Sequence, residues 1–336
     1  MSEMSLGARM RMRVFGVNED EVSMERRGFT AVDERAREQL ERVGLVFLEG
    51  YHAALCLTDH AALARRLDAT DAEFRGFAHE GAAMGLTVLD GVLPGSGRLR
   101  SFLSGPGFPY AWMAPIGFGW ARAQMRRRPR RPHPLVDPLL DWFEMDGAGF
   151  HDGYFHPSRY IEDRHRPPRL KGTAARVYDQ GIGRSLWFVR GADVERIGAT
   201  VDRFPASRKP DVWSGVASAA SYAGGVSEDA LLALREEAHA FFRDVAQGAA
   251  FAIKARVAGG NITPHTELAS SVFCQMPVAE VARCTDMARE GAVAGYETPF
   301  DAWRDRIRAM VCGDERSREE ADTPAGAQAA SLPGRA

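Results

Sequence analysis

Apolar residues recur at three- and four-residue spacing over long segments rich in Ala, Leu, Arg and Glu. This period is that of an α-helix with one buried face. It predicts helices within residues 70–89, 174–204 and 227–257. Segments in which Val, Ile and Thr alternate with polar residues, the pattern of half-buried strands, are almost absent. The sequence therefore predicts an all-α fold.

Capping chemistry places two helix starts and one helix end. Ser227, followed by two acidic residues, is typical of an N-cap, because its hydroxyl can accept a hydrogen bond from the first turn. The glycine pair at 259–260 is typical of a helix end. Thr263 with Pro264 then predicts the start of the next helix.

The chain also resembles itself. Three matches have offsets of 103, 100 and 101 residues: Gly50 with Gly153, Gly81 with Gly181, and Trp112 with Trp213. A weaker match pairs Gly81 with Gly248. We therefore expect tandem helical repeats, two full copies and a partial third, packed into one globular domain. A polar residue precedes each of the matched glycines 81, 181 and 248, and we expect Glu80, Gln180 and Gln247 to be buried and hydrogen-bonded at a seam between repeats.

These matches define the expected organisation of the chain. In order, it comprises an N-terminal segment (1–39), a first repeat (40–125), a basic, proline-rich linker (126–142), a second repeat (143–225), a C-terminal helical region with the partial third repeat (226–312), and a disordered tail (313–336). The linker has two interpretations, an extended solvated connector or a site for an acidic partner.

Charge and cysteine content narrow the function classes. The 43 Lys and Arg residues nearly balance 45 Asp and Glu residues, which argues against nucleic-acid binding as the main activity. No apolar run approaches the roughly 20 residues that span a bilayer, and the N-terminus lacks the apolar core of a signal peptide. We therefore expect a cytoplasmic protein without membrane insertion. The four cysteines form no zinc or thioredoxin-type motif.

Three polar segments are candidates for chemistry. Residues 146–156 could bind a divalent metal or serve acid–base steps, residues 176–188 weakly suggest phosphate binding, and residues 261–267 could hold an anion or a carbonyl group at a helix start. The structural interpretations are, in the same order, a paired acid across the repeats, a tightly packed helix and a capped first turn. Neither a dinucleotide fingerprint nor a P-loop is present, so no cofactor is expected, and a metal requirement stays open. We select as candidate catalytic residues, expecting at least four to line one pocket, His151, Asp152, Tyr178, Asp179, His265 and Glu267.

Five ordered motifs carry a family resemblance. They are EGYH (49–52), FRGFAHEGAAM (74–84), GFHDGYF (149–155), YDQGIGRSLWF (178–188) and PHTE (264–267). Together they resemble the UnbL-type family of bacterial proteins, catalogued as domain of unknown function 1702. Members of that family are often encoded beside iterative enediyne polyketide synthases. The resemblance thus implies an accessory role in maturing a linear polyene, and it implies no particular catalytic residues.

Two hypotheses follow. The first is a cofactor-independent cyclase or isomerase of secondary metabolite biosynthesis that acts on the polyene. The second is a noncatalytic helical-repeat protein that binds the intermediate or a partner enzyme. An apolar groove for such a ligand has as candidate walls Trp112, Trp120, Trp187, Trp213 and Phe188, all of which have a core role as the alternative.

Overall fold

Helices account for all the regular structure in the computed structural model, which describes residues 5–93, 95, 97–126 and 131–312. No strand occurs within these residues. The α-helices are α1 (Leu6–Phe15), α2 (Met24–Arg27), α3 (Glu34–Cys56), α4 (His60–Asp68), α5 (Arg75–Val92), α6 (Arg98–Leu103), α7 (Ala114–Gln124), α8 (Phe143–Phe155), α9 (Gly172–Val189), α10 (Val194–Asp202), α11 (Lys209–Ala223), α12 (Glu228–Glu237), α13 (Phe242–Ala258), α14 (Pro264–Ala269), α15 (Val278–Met287) and α16 (Pro299–Cys312).

Six short segments complete the helical structure. Four are 3-10 helices, at Glu19–Val22, Phe108–Tyr110, Leu140–Trp142 and His239–Phe241. Two are π-helical turns, at Ser158–Glu162 and Ser270–Cys274. The all-α prediction is confirmed.

Seven long helices form the body of the domain. They pack in the order α3, α5, α7, α8, α9, α11 and α13, each against the next, and α15 and α16 cover the far side of α13. One continuous hydrophobic core runs through them. Helix α9 is buried along most of its length, with Tyr178 and Trp187 fully enclosed. The central helices therefore contact neighbours on two sides, and few of their polar residues reach solvent.

Glycines bring the backbones of neighbouring helices into contact. A Cβ atom added to Gly81 of α5 would lie 1.9 Å from the carbonyl oxygen of Phe47 in α3. A Cβ added to Gly181 of α9 would lie 2.0 Å from the carbonyl oxygen of Asp146 in α8. Since backbone atoms cannot move aside as a side chain can, these positions exclude any larger residue. The interfaces in which a glycine meets a backbone oxygen also include those of Gly50, Gly117, Gly119, Gly147, Gly149, Gly183, Gly215 and Gly248.

The predicted helix boundaries hold where capping chemistry is explicit. The Ser227 hydroxyl accepts a hydrogen bond from the Ala230 amide, α13 ends at the predicted glycine pair, and Thr263 forms a capping box with Thr266. The two longest predicted helices are each broken in two. The first break separates α9 from α10. Gly191, with a φ of +61°, lies in this break, and Asp193 caps the start of α10.

The tandem-repeat prediction is not confirmed, although its seam residues are buried. Gly50 meets the backbone of Ala78, whereas its predicted counterpart Gly153 meets the side chain of Ser185. Glu80, Gln180 and Gln247 are at most 3% exposed. The expected hydrogen bonds form at Gln180 and Gln247, but Oε2 of Glu80 has none, so that part of the prediction is wrong for Glu80. The proposed boundaries stay predictions, and α3 crosses the one drawn between residues 39 and 40. Residues 127–130 of the predicted linker and the predicted tail at 313–336 lie outside the described residues.

Candidate functional site

A cavity of about 460 Å³ lies among α3, α5, α7, α8 and α9. We call it the main cavity. Residues 17–22, which precede α2, close one side of it. Its walls are largely apolar and include Val43, Phe47, Phe77, Met84, Trp120 and Phe150. Enclosed apolar walls with a few polar groups are typical of sites for small apolar ligands.

The main cavity has an exposed end and a buried end. Gln124, Arg126 and His156 line it and are exposed, so they mark its mouth. Glu80 and Arg184 line it and are only 3% and 8% exposed, so they mark its inner end. A long ligand in the main cavity would extend from the polar mouth, between apolar walls, to the buried polar groups at the inner end.

The inner end holds a carboxyl group without a hydrogen-bond partner. Arg184 donates to Oδ1 of Asp146 at 2.5 Å, and Gln180 donates to Oδ2 of Asp146 at 2.9 Å. Oε2 of Glu80 is buried and has no such partner. Burial raises the pKa of Glu80 to about 7; Arg184 opposes the shift and Asp146 adds to it. Near neutral pH this carboxyl group can therefore either donate or accept a proton.

A chain of hydrogen bonds begins at the cavity wall with His151. Its Nε2 lies 2.9 Å from Oε1 of Gln124, and its Nδ1 lies 3.1 Å from Oδ1 of Asp152. The hydroxyl of Tyr178 donates to Oδ2 of Asp152 at 2.7 Å. A carboxylate that fixes the orientation of an imidazole ring is an arrangement suited to acid–base work. The structure therefore brings together three of the six predicted residues.

Asp179 lies in a different environment from its neighbour Tyr178. Arg208 donates to both of its oxygens, at 2.9 and 2.7 Å, and Arg166 adds a bond of 2.8 Å. Burial raises the pKa of Asp179, while the two arginines oppose the shift. With both oxygens occupied, Asp179 joins α9 to the segments that carry these arginines. We call this group, Asp179 with Arg166 and Arg208, the arginine clamp.

The last two predicted residues lie apart from both groups. Nε2 of His265 lies 2.8 Å from the carbonyl oxygen of Ala220, and burial lowers the pKa of this imidazole. Glu267 lines a separate surface groove with Ile262 and Met276. Of the six candidates, His151 alone lines the main cavity. The expectation that at least four of them line one pocket is therefore wrong, because residues close in sequence point to different sides of their helices.

The predicted aromatic groove is also divided by the fold. Trp120 and Phe188 line the main cavity, whereas Trp112 lines a second, much smaller cavity of about 30 Å³. Trp187 and Trp213 are core residues, exposed by 0% and 3%. The main cavity is therefore walled as much by phenylalanine and aliphatic residues as by tryptophan.

Sequence reasoning missed Glu80 and Arg184 as site residues. Glu80 stood out as the one acid within a run of small and apolar residues, which predicted burial and not access to a cavity. Arg184 lies in a motif whose two glycines, Gly181 and Gly183, allow close packing against neighbouring helices. The sequence does not show which acid Arg184 binds. Only the folded chain shows that Arg184 binds Asp146, while Oε2 of Glu80 has no hydrogen-bond partner.

The described part of the chain lacks two further kinds of feature, a metal-binding cluster and a membrane-spanning helix. It contains no group of three or more His, Cys, Asp or Glu side chains placed to hold a metal ion. Nor does any helix in it combine the length and the apolar character needed to cross a bilayer.

Comparison with known proteins gives one match. The model of the family described as "Protein of unknown function (DUF1702)" matches residues 6–311, and the chain belongs to that family. No curated protein and no solved structure matches the chain. Family membership confirms the broader part of the sequence resemblance. The narrower part, the link to UnbL-type proteins and enediyne gene clusters, stays a prediction.

Proposed function

We propose that this member of the DUF1702 family is an accessory biosynthetic enzyme that holds a linear unsaturated chain in the main cavity and moves protons along it. The observation that carries the proposal is Glu80, a buried carboxyl group whose Oε2 has no hydrogen-bond partner and which lines a largely apolar cavity. An unpaired buried carboxyl group costs stability, and such groups cluster at functional sites. The UnbL-type resemblance supports an enediyne-type polyketide pathway as the source of the chain.

The chemistry needs no oxidant and no reductant. The Glu80 carboxyl group gives a proton to one carbon of the conjugated chain, and a C–H bond forms. The resulting carboxylate or the imidazole of His151 takes a proton from another carbon, and a C–H bond breaks. The double bonds shift between the two positions, so the product is an isomer. A proton returned to Glu80 completes the cycle.

The contacts of His151 support this assignment. Asp152 holds its Nδ1, and Tyr178 in turn holds Asp152, so the ring is fixed in one orientation at the cavity wall. A fixed orientation reduces the entropy lost when the reacting groups align. His151 therefore serves as the second acid–base group, with Asp152 and Tyr178 as positioning residues.

Deuterium exchange tests the proposal directly. The full-length protein is incubated in D₂O with a linear tetraene hydrocarbon that carries allylic methylene groups, and mass spectrometry follows deuterium in the chain. We expect incorporation with the wild type and at least a hundredfold slower incorporation with Glu80→Gln, by the magnitude typical of a lost acid–base group. His151→Ala should slow it as well.

Glu144→Gln is the matched control. Glu144 is also buried, and burial also raises its pKa to about 7, but it does not line the main cavity. Its Oε2 accepts a hydrogen bond from the backbone N–H of His133, and its Oε1, which like Oε2 of Glu80 is buried without a hydrogen bond, lies 3.0 Å from Nε of Arg122 in an ion pair. We expect this variant to exchange at the wild-type rate. Equal loss in both carboxyl variants would contradict a specific role for Glu80.

The noncatalytic alternative rests on the same cavity. A binding or chaperone protein would enclose the chain among the same apolar walls without proton transfer. Binding of the tetraene by the wild type without any exchange would favour this alternative. Metabolite profiles of a host strain give the second test, since Glu80→Gln should accumulate the same polyene as deletion of the gene. Normal product titres from both Glu80→Gln and His151→Ala would refute the proposal that the protein is an enzyme.

A further inference from the structure

The inner end of the main cavity is selective in charge. Resting on the proposed function, we propose that it recognises an uncharged oxygen, a carbonyl or hydroxyl group carried by the apolar chain, and excludes a carboxylate. The charges at this end, the position of Glu80 and the walls above it carry the inference.

The single arginine at the inner end is already neutralised. Arg184 binds Asp146 at 2.5 Å, both side chains are buried, and the guanidinium carbon lies 5.4 Å from the centre of the Phe150 ring. Gln180 occupies the other oxygen of Asp146. Because these contacts compensate the cation, the inner end has no positive charge to spare for an anionic ligand.

Of the side chains that line this end, Glu80 is the one with a buried oxygen that has no hydrogen-bond partner. Protonated, its carboxyl group can donate to a carbonyl oxygen, and ionised, it can accept from a hydroxyl group. A ligand carboxylate would instead join Glu80 and Asp146, which places three acids beside one arginine away from water. An uncharged oxygen avoids this repulsion and satisfies the unpaired Oε2 atom.

The remaining cavity walls add no charge near this end. The residues of α3 that line the cavity are apolar or glycine, and α7 contributes two uncharged residues with polar groups, Gln124 and Trp120, whose indole N–H is buried without a hydrogen-bond partner. The other titratable or charged lining groups are Glu21, Arg126, Tyr154 and the histidines at 151 and 156. The pKa of Glu80, raised to about 7 by burial, agrees with this setting. Near neutral pH both of its hydrogen-bonding roles are then populated.

Ligands of one chain length and different end groups provide the test. Fluorescent 1,6-diphenylhexatriene, which is neutral and apolar, is bound to the full-length protein and displaced at pH 7, where both forms of Glu80 are populated, by dodecane, 2-dodecanone, 1-dodecanol or dodecanoate. We expect the ketone and the alcohol to bind about tenfold more tightly than dodecane, the value of one buried hydrogen bond. Dodecanoate should bind more weakly than the alcohol.

Two variants attribute the preference to Glu80. Glu80→Leu should bind diphenylhexatriene, which reports an intact cavity, and should lose the preference for ketone and alcohol over dodecane. Glu80→Gln should keep the preference, because an amide also donates and accepts. Glu144→Gln, the matched buried carboxyl group, should behave as the wild type does.

The outcomes separate this inference from the proposed function. Dodecanoate binding as tightly as dodecanol would overturn the inference, as would an unchanged preference in Glu80→Leu. Deuterium exchange in the tetraene would be unaffected by that result, because a hydrocarbon has no end group. Conversely, a preference for neutral oxygen without any exchange would leave the inference standing and refute the enzyme.

Discussion

Glu80 and Asp179 are two buried carboxyl groups on long helices of one core, α5 and α9, yet they are held in opposite ways. Asp179 receives three hydrogen bonds from the two arginines of the arginine clamp. Glu80 lines the main cavity, and its Oε2 receives none. The pKa of each is raised by burial, so neither burial nor the direction of the pKa shift distinguishes them. The difference lies in their partners.

This comparison shows how a structural carboxylate differs from a candidate catalytic one. Removing a carboxylate that neutralises buried arginines leaves those charges uncompensated. Removing an unpaired carboxyl group relieves a desolvation cost. Substitution should therefore lower the free energy of unfolding at Asp179 but not at Glu80. The variants below test this contrast.

The largest expected effect is at the arginine clamp. Asp179→Ala leaves Arg208, itself 5% exposed, without a counter-charge. We expect the free energy of unfolding to fall by about 3–5 kcal/mol, as for other broken buried pairs. Urea unfolding at pH 7 measures the change. A loss below about 1 kcal/mol would mean that the clamp contributes little and would remove the contrast with Glu80.

A smaller effect is expected at the helix contact beneath the main cavity. Gly181→Ala places a Cβ atom 2.0 Å from the carbonyl oxygen of Asp146, which must move away together with α8. We expect a loss of about 1–3 kcal/mol or more and weaker binding of diphenylhexatriene. Gly153→Ala is the control, since its Cβ would meet Oγ of Ser185, a side-chain atom that can rotate. Equal losses would indicate that α8 and α9 can separate freely.

The smallest net effect is at Glu80, and its sign depends on pH. Burial raises the pKa of Glu80 from 4.5 to about 7, so the folded state holds this proton more tightly than the unfolded chain does. The stability from this group is complete below pH 4.5 and is lost as the pH rises through 7. We therefore expect Glu80→Gln to lie within about 1 kcal/mol of the wild type at pH 7. Relative to the wild type, it should gain on the order of 1–3 kcal/mol between pH 5 and 8.

Urea unfolding at pH 5, 6, 7 and 8 checks the Glu80 prediction. The difference between wild type and variant isolates Glu80 from other groups that titrate in this range, including Glu144, whose pKa burial also raises to about 7. Parallel pH profiles for the two proteins would show that Glu80 is paired in solution. In that case the contrast with Asp179 would disappear.

The fold was more predictable from the sequence than the site was. Helical periodicity predicted α5, and the hydroxyls of Ser227 and Thr263 placed two helix starts, because capping depends on residues a few positions apart. The same local reasoning predicted that Glu80, Gln180 and Gln247 are buried. It grouped His151 with Asp152 correctly. It could not separate Tyr178 from Asp179, because adjacent helical residues point about 100° apart and reach different neighbours.

The sequence by itself determined the helices, their caps and the close-packing glycines, since periodicity, hydroxyl caps and missing side chains act within one or two turns of the chain. Only the tertiary structure decided which polar groups are partners. Asp146 binds Arg184 and Asp179 binds Arg208, although the partners are 38 and 29 residues apart in the chain, and Glu80 has an oxygen without a hydrogen bond. Electrostatic pairing depends on distance in space and on burial, and both arise when the helices pack.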